Sequence, residues 1–334
     1  DGPDPIEPTV VDPPATVVVL PPVPTTPPGP TSTRPAPAPP PPTSQATPST
    51  TMPDVATPPP ATTPVTSTTV ATTAPSSPTT TAAPATAPAE DPASDDCTRA
   101  RSGAVDLAGA DLAGCDLSGL RLWRVDLSGA RLNGADLTGA ELAAFDLDGA
   151  SLRDARLVEA VLIGGSMRDV SARGIDGRGL RIEFVDGSRS SFHDANFSGG
   201  QFRAVAFAGI VARGADFSSA RLDAVTLVDA ELHDAELAGA TLRLVDMRSA
   251  IVRGADLRQA DLRHANLASA DVRGADLSGA DLSEGRIGGA DVRGAVFVGT
   301  RLQGVVGVPS RWSGAEFRDT VCPDGSVQSS NCWP

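Results

Sequence analysis

The chain has 334 residues, a formal net charge of −14, 31 prolines and no tyrosine. Its 27 basic residues are all arginine. An acidic chain does not suit direct nucleic-acid binding, which calls for a basic face. No stretch is long and apolar enough to cross a membrane as a helix, since the run Val17-Val18-Val19-Leu20 stops at Pro21-Pro22.

Residues 1–96 form the first predicted unit. They hold 28 of the prolines and none of the nine Phe or three Trp. A segment of this composition cannot bury enough apolar surface to offset its ordering entropy, so a disordered Pro/Thr/Ser-rich tail is expected. Runs such as Pro39-Pro40-Pro41-Pro42 and Thr79-Thr80-Thr81 are similar to a mucin-type stalk with hydroxyls open to O-glycosylation. Fully extended as polyproline II, such a segment reaches roughly 300 Å at about 3.1 Å per residue. Its role is either a spacer that holds a folded domain off a surface or a solvated linker. The chain begins at Asp1 rather than Met, and a mature or trimmed form that has lost its targeting segment is expected.

Residues 97–320 form the second unit. Every fifth residue from Leu107 to Phe317 is apolar or small, in one phase over 43 pentads. A period of five fits neither a helix nor a strand, and unbroken repetition signals a solenoid. Two residues before each centre the position is usually small, as at Ala110, Ala130, Ala255 and Ala275. Five centres are themselves small: Ala172, Gly177, Gly187, Ala212 and Gly307. Each has a large residue two before it, namely Val170, Ile175, Val185, Ile210 and Val305, so volume moves between two inward sites as close packing requires. Phe192, Phe197, Phe202 and Phe207 fill one coil, and twenty positions before them lie Ala172, Gly177, Ile182 and Gly187, so bulky rings mostly face small residues. Residues 170–190 therefore either stay in the solenoid or, given their glycines, loop out of it.

The run Ala275-Asp276-Leu277-Ser278-Gly279 resembles the pentapeptide-repeat family, and the resemblance covers about two-thirds of the chain. It implies an all-β fold, a right-handed quadrilateral parallel β-helix. Five residues make a side and twenty a coil, giving about 11 coils and roughly 50 Å at a strand-like spacing. The interior is then filled by side chains and has no room for a ligand.

Four cysteines lie at the ends of this unit. Cys97–Cys115 is expected to staple the entering chain to the first coil, the alternative being that Cys115, on an inward site, is a buried thiol. Cys322–Cys332 is expected to close residues 321–334 as a C-terminal cap. Disulfides imply an oxidising compartment, so the expected location is secreted or cell-envelope. No histidine neighbours a cysteine, and neither a metal site nor a cofactor is expected.

Catalytic patterns are absent. His193 and His233 fall two coils apart, too far to share a metal or proton, and no phosphate loop or nucleophile elbow appears. A non-enzyme is expected. Asn196-Phe197-Ser198 reads as a sequon but also fits the repeat. Twenty-residue spacing stacks Arg153, Arg173, His193, Arg213, His233, Arg253, Arg273 and Arg293 in one column. This is either a basic stripe for an acidic wall polymer or a ladder neutralised by corner ion pairs. The expected corner partners lie three residues on: Asp176, Asp216, Glu236, Asp256 and Asp276. Arg153 and Arg293 lack one.

Two functions emerge. The first is a non-catalytic exported scaffold on a stalk, binding an unidentified protein or wall polymer. The second follows from the resemblance, which implies DNA mimicry and inhibition of DNA gyrase for some members. The apolar stretch around Val305, Val306 and Val308, with Val296 and Val298, is either covered by the cap or a homodimer contact.

Overall fold

The computed structural model describes residues 92–333. The predicted tail lies outside the described residues except for its last five, and these are not disordered. They begin helix α1, Pro92–Arg101. The ordered unit therefore starts earlier than the boundary at 97. Proline suits the first helical turn, which has no N–H partner to lose, and Asp95 near the start with Arg99 and Arg101 near the end complement the helix dipole.

Between α1 and the C-terminal cap the chain is a parallel β-solenoid. The column beginning at Asp106 rises in ten successive bridges, each of twenty residues, to Val306. A partial eleventh coil follows. Five-residue sides and a twenty-residue step give four faces. They are numbered here by their first inward centres, Leu107, Leu112, Leu117 and Leu122. Each coil is tied to the next by its backbone. Leu107 N–H donates to Asp126 C=O at 2.8 Å, and Asp126 N–H donates to Val105 C=O at 2.7 Å. Within a coil, Ala110 N–H donates to Leu107 C=O at 3.0 Å and closes the corner.

Strand geometry is most regular on the fourth face. There β1 (Arg121–Trp123), β2 (Glu141–Ala143), β3 (Val161–Ile163), β4 (Arg181–Glu183), β5 (Gln201–Arg203) and β6 (Arg221–Asp223) form one parallel sheet in sequence order. On the third face β7 (Val296–Val298) pairs with β8 (Glu316–Arg318).

The core is the predicted double ladder. Centres such as Leu132, Phe192, Phe207, Leu242 and Val292 are fully buried, with Ala130, Ala215 and Ala290 beside them. Residues 170–190 stay in register: Ser171 bridges Ser191, and Ile182 pairs with Leu162 and Phe202. Three inward positions are polar. Ser190, Thr300 and Thr320 are wholly buried, and each hydroxyl donates to a carbonyl one coil below, of Met167, Leu277 and Phe297. Such a partner removes most of the cost of burying a hydroxyl.

Both ends are closed. The first coil has no coil beneath it, leaving its outer N–H and C=O groups unpaired. Helix α1 supplies partners of the matching sign. Arg99 donates to Asp106 C=O at 2.9 Å, Arg101 donates to Asp116 C=O at 2.8 Å, and Asp111 N–H donates to Asp96 at 2.9 Å. Ala100 is buried against the core. At the other end β9 (Thr320–Val321) pairs antiparallel with β10 (Val327–Gln328). Trp333 is 5% exposed and packs edge-on against Phe297 and Phe317, which stack at 5.1 Å. The cap is thus a hairpin whose last tryptophan plugs the open core.

Candidate binding surface

With a core this full, function has to reside on the faces and ends. In each pentad the residues just before and just after the inward centre both point outward, because side chains alternate along an extended stretch.

On the second face the residue after each centre forms the expected column. Their backbones bond coil to coil, as in Asp154 N–H to Arg173 C=O and Asp234 N–H to Arg253 C=O, both at 2.9 Å. Their partners are not the expected ones. Arg273 bonds Asp271 at 2.8 and 2.9 Å, Arg293 bonds Asp291 at 2.7 Å, and Arg253 reaches Asp271 at 2.7 Å. Arg213 bonds Glu231, and Arg173 reaches Asp194 at 3.0 Å. The expected corner acids pair elsewhere: Asp176 with Arg178, and Asp256 with Arg258. The reason is geometric. Residues flanking one centre share a side of the solenoid, whereas a residue three on lies past the corner. Arg293, expected to lack a partner, is therefore well paired. Arg153 lacks a carboxylate and bonds the Ser171 hydroxyl at 3.3 Å. Burial disfavours the ionised form of Asp271, but hydrogen bonds from Arg273 and Arg253 outweigh it and hold its carboxyl well below the usual range. The second face is a neutralised ladder.

The third face stacks Asp116, Asp136, Asp176, Asp216, Glu236, Asp256 and Asp276, interrupted by Arg156 and Asn196. Many of these acids serve their own corner. Asp216 and Asp276 each accept the N–H two residues on, at 2.8 and 2.9 Å. Asn196 does the same for Ser198 at 3.0 Å, which ties the sequon's side chain into the corner. Hydrogen bonds from Arg178 and Arg258 hold Asp176 and Asp256 below the usual carboxylate range.

The fourth face is different. Trp123 is 68% exposed, with the Arg124 guanidinium 5.7 Å from its ring centroid. Phe184 is 57% exposed. In the register of β1 to β4, Ala143 and Ile163, half-buried, follow Trp123, with Val161 beside Ile163, and the fourth position is Glu183, next in sequence to Phe184. Apolar side chains therefore line one column over three coils, and Phe184 stands in the adjacent column on the fourth. The sequence reading did not single it out. Its signal was nonetheless present, because Trp123 and Phe184 lie off the inward phase that most aromatics occupy.

The structure joins Cys97 to Cys115 and Cys322 to Cys332, with Cα–Cα distances of 5.6 and 5.3 Å. His193 and His233 border one shallow depression with Asp194, Arg213, Asp234 and Arg253. Among the described residues no group of three or more His, Cys, Asp or Glu is placed to hold a metal.

The family profile described as Pentapeptide repeats matches the chain in eight copies, over residues 106–143, 135–176, 213–248, 227–263, 245–279 and 275–305. A comparison with curated proteins returned no match. Among solved structures, HetL is similar at 24% identity and a TM-score of 0.35, over 69% of this chain and 97% of that one. HetL is a pentapeptide repeat protein involved in heterocyst differentiation regulation from the cyanobacterium Nostoc. A trypsin-treated form of QnrB1, a plasmid-mediated fluoroquinolone resistance protein, is similar at 16% identity and a TM-score of 0.37, over 59% of this chain and 88% of that one. A pentapeptide repeat protein from the Arabidopsis thaliana thylakoid lumen is similar at 29% identity and a TM-score of 0.23, over 29% of this chain and 65% of that one.

Proposed function

The chain belongs to the pentapeptide-repeat family, and from that premise we propose that it is a non-catalytic exported or cell-envelope scaffold, a rigid β-helical rod presented on a Pro/Thr-rich stalk. The observation that carries this reading is the pair of disulfides, one at each end of the solenoid. Thiols in a reducing cytoplasm do not stay bridged, so two bridges at the two ends suit an oxidising compartment. The composition of residues 1–96 suits a stalk. Cell fractionation followed by immunoblotting tests the location. Recovery in the envelope or medium supports it, and confinement to the cytoplasm overturns it.

A second reading, inhibition of a type II topoisomerase by DNA mimicry, draws on the carboxylate column of the third face. Arg156, Arg178 and Arg258 interrupt that column through pairs with Asp136, Asp176 and Asp256, which weakens the likeness to a phosphate backbone. A gyrase supercoiling assay unmoved by excess protein removes this reading. At the C-terminal end Val306 and Val308 are 62% and 48% exposed, so the cap leaves them open and a homodimer contact there is part of the proposal. Sedimentation of a Val306→Ser/Val308→Ser variant tests it, and unchanged mass against a dimeric parent would sink it.

A further inference from the structure

We propose that the fourth face binds an extended anionic polysaccharide, a polyuronate, laid along the solenoid axis over the first five coils. The proposal gives the scaffold reading above its binding class and rests on it only for where such a polymer is met.

The first support is the cost of what this face displays. In each pentad the residue two after the centre adopts a left-handed backbone, where glycine is favoured. On the first face Gly109, Gly129 and Gly149 fill it in the first three coils, with φ of 66, 64 and 68°, and polar residues such as Asp169 and Arg189 follow. On the fourth face the same position holds Phe184 at φ 55°. A bulky residue is strained there, and an exposed aromatic contributes nothing to the core. Strain kept together with exposure points to a role outside folding.

The second support is shape. Trp123, Ala143 and Ile163 stand in one column on successive coils, and Phe184 stands one position over on the next coil, beside Glu183, so the apolar strip is long and narrow. Coils repeat at about 4.8 Å, close to the length of one pyranose ring in an extended glycan. Successive sugars therefore meet equivalent positions on successive coils. Pyranose C–H faces suit aromatic and aliphatic platforms, and their hydroxyl rims suit polar side chains on either side.

The third support is charge. Beyond residue 96, all arginines except Arg124, Arg153, Arg203 and Arg286 have a carboxylate partner among the described residues. Two of these four, Arg124 and Arg203, bracket the apolar line at its first and fifth coils. Arg203 is free to take a carboxylate in two parallel hydrogen bonds, and Arg124, over the Trp123 ring, has no carboxylate of its own. On the coils after Ile163 a depression lined by Glu183, Gln201, Phe202, Arg203, Arg221 and Asp223 continues the strip. There Arg221 is held by Asp223 at 2.5 Å and Glu183 by Arg181 at 2.8 Å, leaving Gln201 and Arg203 as donors. The second-face arginines other than Arg153 are spent on acids. The site thus lies away from the column with the most positive sequence.

The test is calorimetric titration of the full chain with a galacturonate hexamer, alongside neutral xylohexaose. The hexamer is expected to bind, with xylohexaose at least about tenfold weaker. Trp123→Ala and Arg203→Ser are each expected to weaken the hexamer about tenfold or more, by analogy with other desolvated anchors. Arg253→Ala/Arg273→Ala on the second face is expected to leave it unchanged. Silence from the parent, equal affinity for the neutral sugar, or an equal loss in the second-face variant overturns the proposal. An envelope protein that ignores the hexamer loses this inference alone. A cytoplasmic protein that binds it keeps the face and loses the location.

Discussion

A Cβ built on Gly187 would stand 2.5 Å from Cε1 of Phe207, the inward residue one coil above it. No real Cβ sits that close, so the ring of Phe207 occupies the volume that Gly187 vacates. Gly177 stands in the same relation to Phe197, at 3.0 Å. Gly187 lies outside the left-handed region, so a side chain there is resisted by packing and not by the backbone.

Gly187→Leu is expected to destabilise the protein by about 1–3 kcal/mol, the usual cost of overpacking a core. Adding Phe207→Leu is expected to recover most of it, because the pair exchanges volume. Urea unfolding of both variants decides the matter. A double variant no better than the single would break the link between these two residues.

The end caps make a separate prediction about association. Asp96, Arg99 and Arg101 cover backbone groups of the first coil that would otherwise template another chain. Asp96→Ala/Arg99→Ala/Arg101→Ala is expected to remain folded but to self-associate at concentrations where the parent is monodisperse. Light scattering reads this directly, and a variant as monodisperse as the parent would count against it.

Much of the fold was legible because the core obeys one local rule. Leu107 and its successors lie inward by phase alone, and the large residues at Val170, Ile175 and Val185 announce the small centres that follow them. All three are buried as that rule requires. Phe145 shows where the rule thins. It occupies a position that is normally small and is 3% exposed, and Gly165 makes room one coil above, where a Cβ would lie 2.6 Å from its ring. A scan of centres alone does not see that exchange. Helix α1 was illegible for a different reason. It buries Ala100 but carries no apolar stripe, and it is held by charged side chains reaching backbone groups. The ion pairs of Arg273 and Arg293 were misassigned because sequence spacing does not reveal on which side of a corner a residue falls. Trp333 gave no sign that it would fold back onto Phe317.

Acid should find the second face. The folded pKa of Asp271 is depressed, so its contribution to stability is present above its unfolded value, about 3.9. It is lost as pH falls through the lower folded value. Arg273→Ala removes the bidentate partner, and the acid-unfolding midpoint is expected to move to higher pH. Arg286→Ala, which breaks no carboxylate pair, is expected to leave it in place. Equal midpoints for the two variants would show that the ladder does not set acid stability.

The disulfides close loops of 18 and 10 residues, each worth about 2–3 kcal/mol in the chain-entropy account. Cys97→Ser/Cys115→Ser is expected to lower stability and release α1, seen as faster amide exchange at Asp111, whose N–H donates to Asp96. Cys322→Ser/Cys332→Ser is expected to loosen Trp333 and raise its solvent exposure, read by fluorescence quenching. Exchange and quenching unchanged from the parent would show that the caps hold without their bridges.

The most direct test of the exported, disulfide-closed scaffold is the intact mass, without reduction, of the protein recovered from its native source. The account predicts a species four hydrogens lighter than the all-thiol form, one pair for each of the two bridges. A protein carrying four free thiols would contradict it.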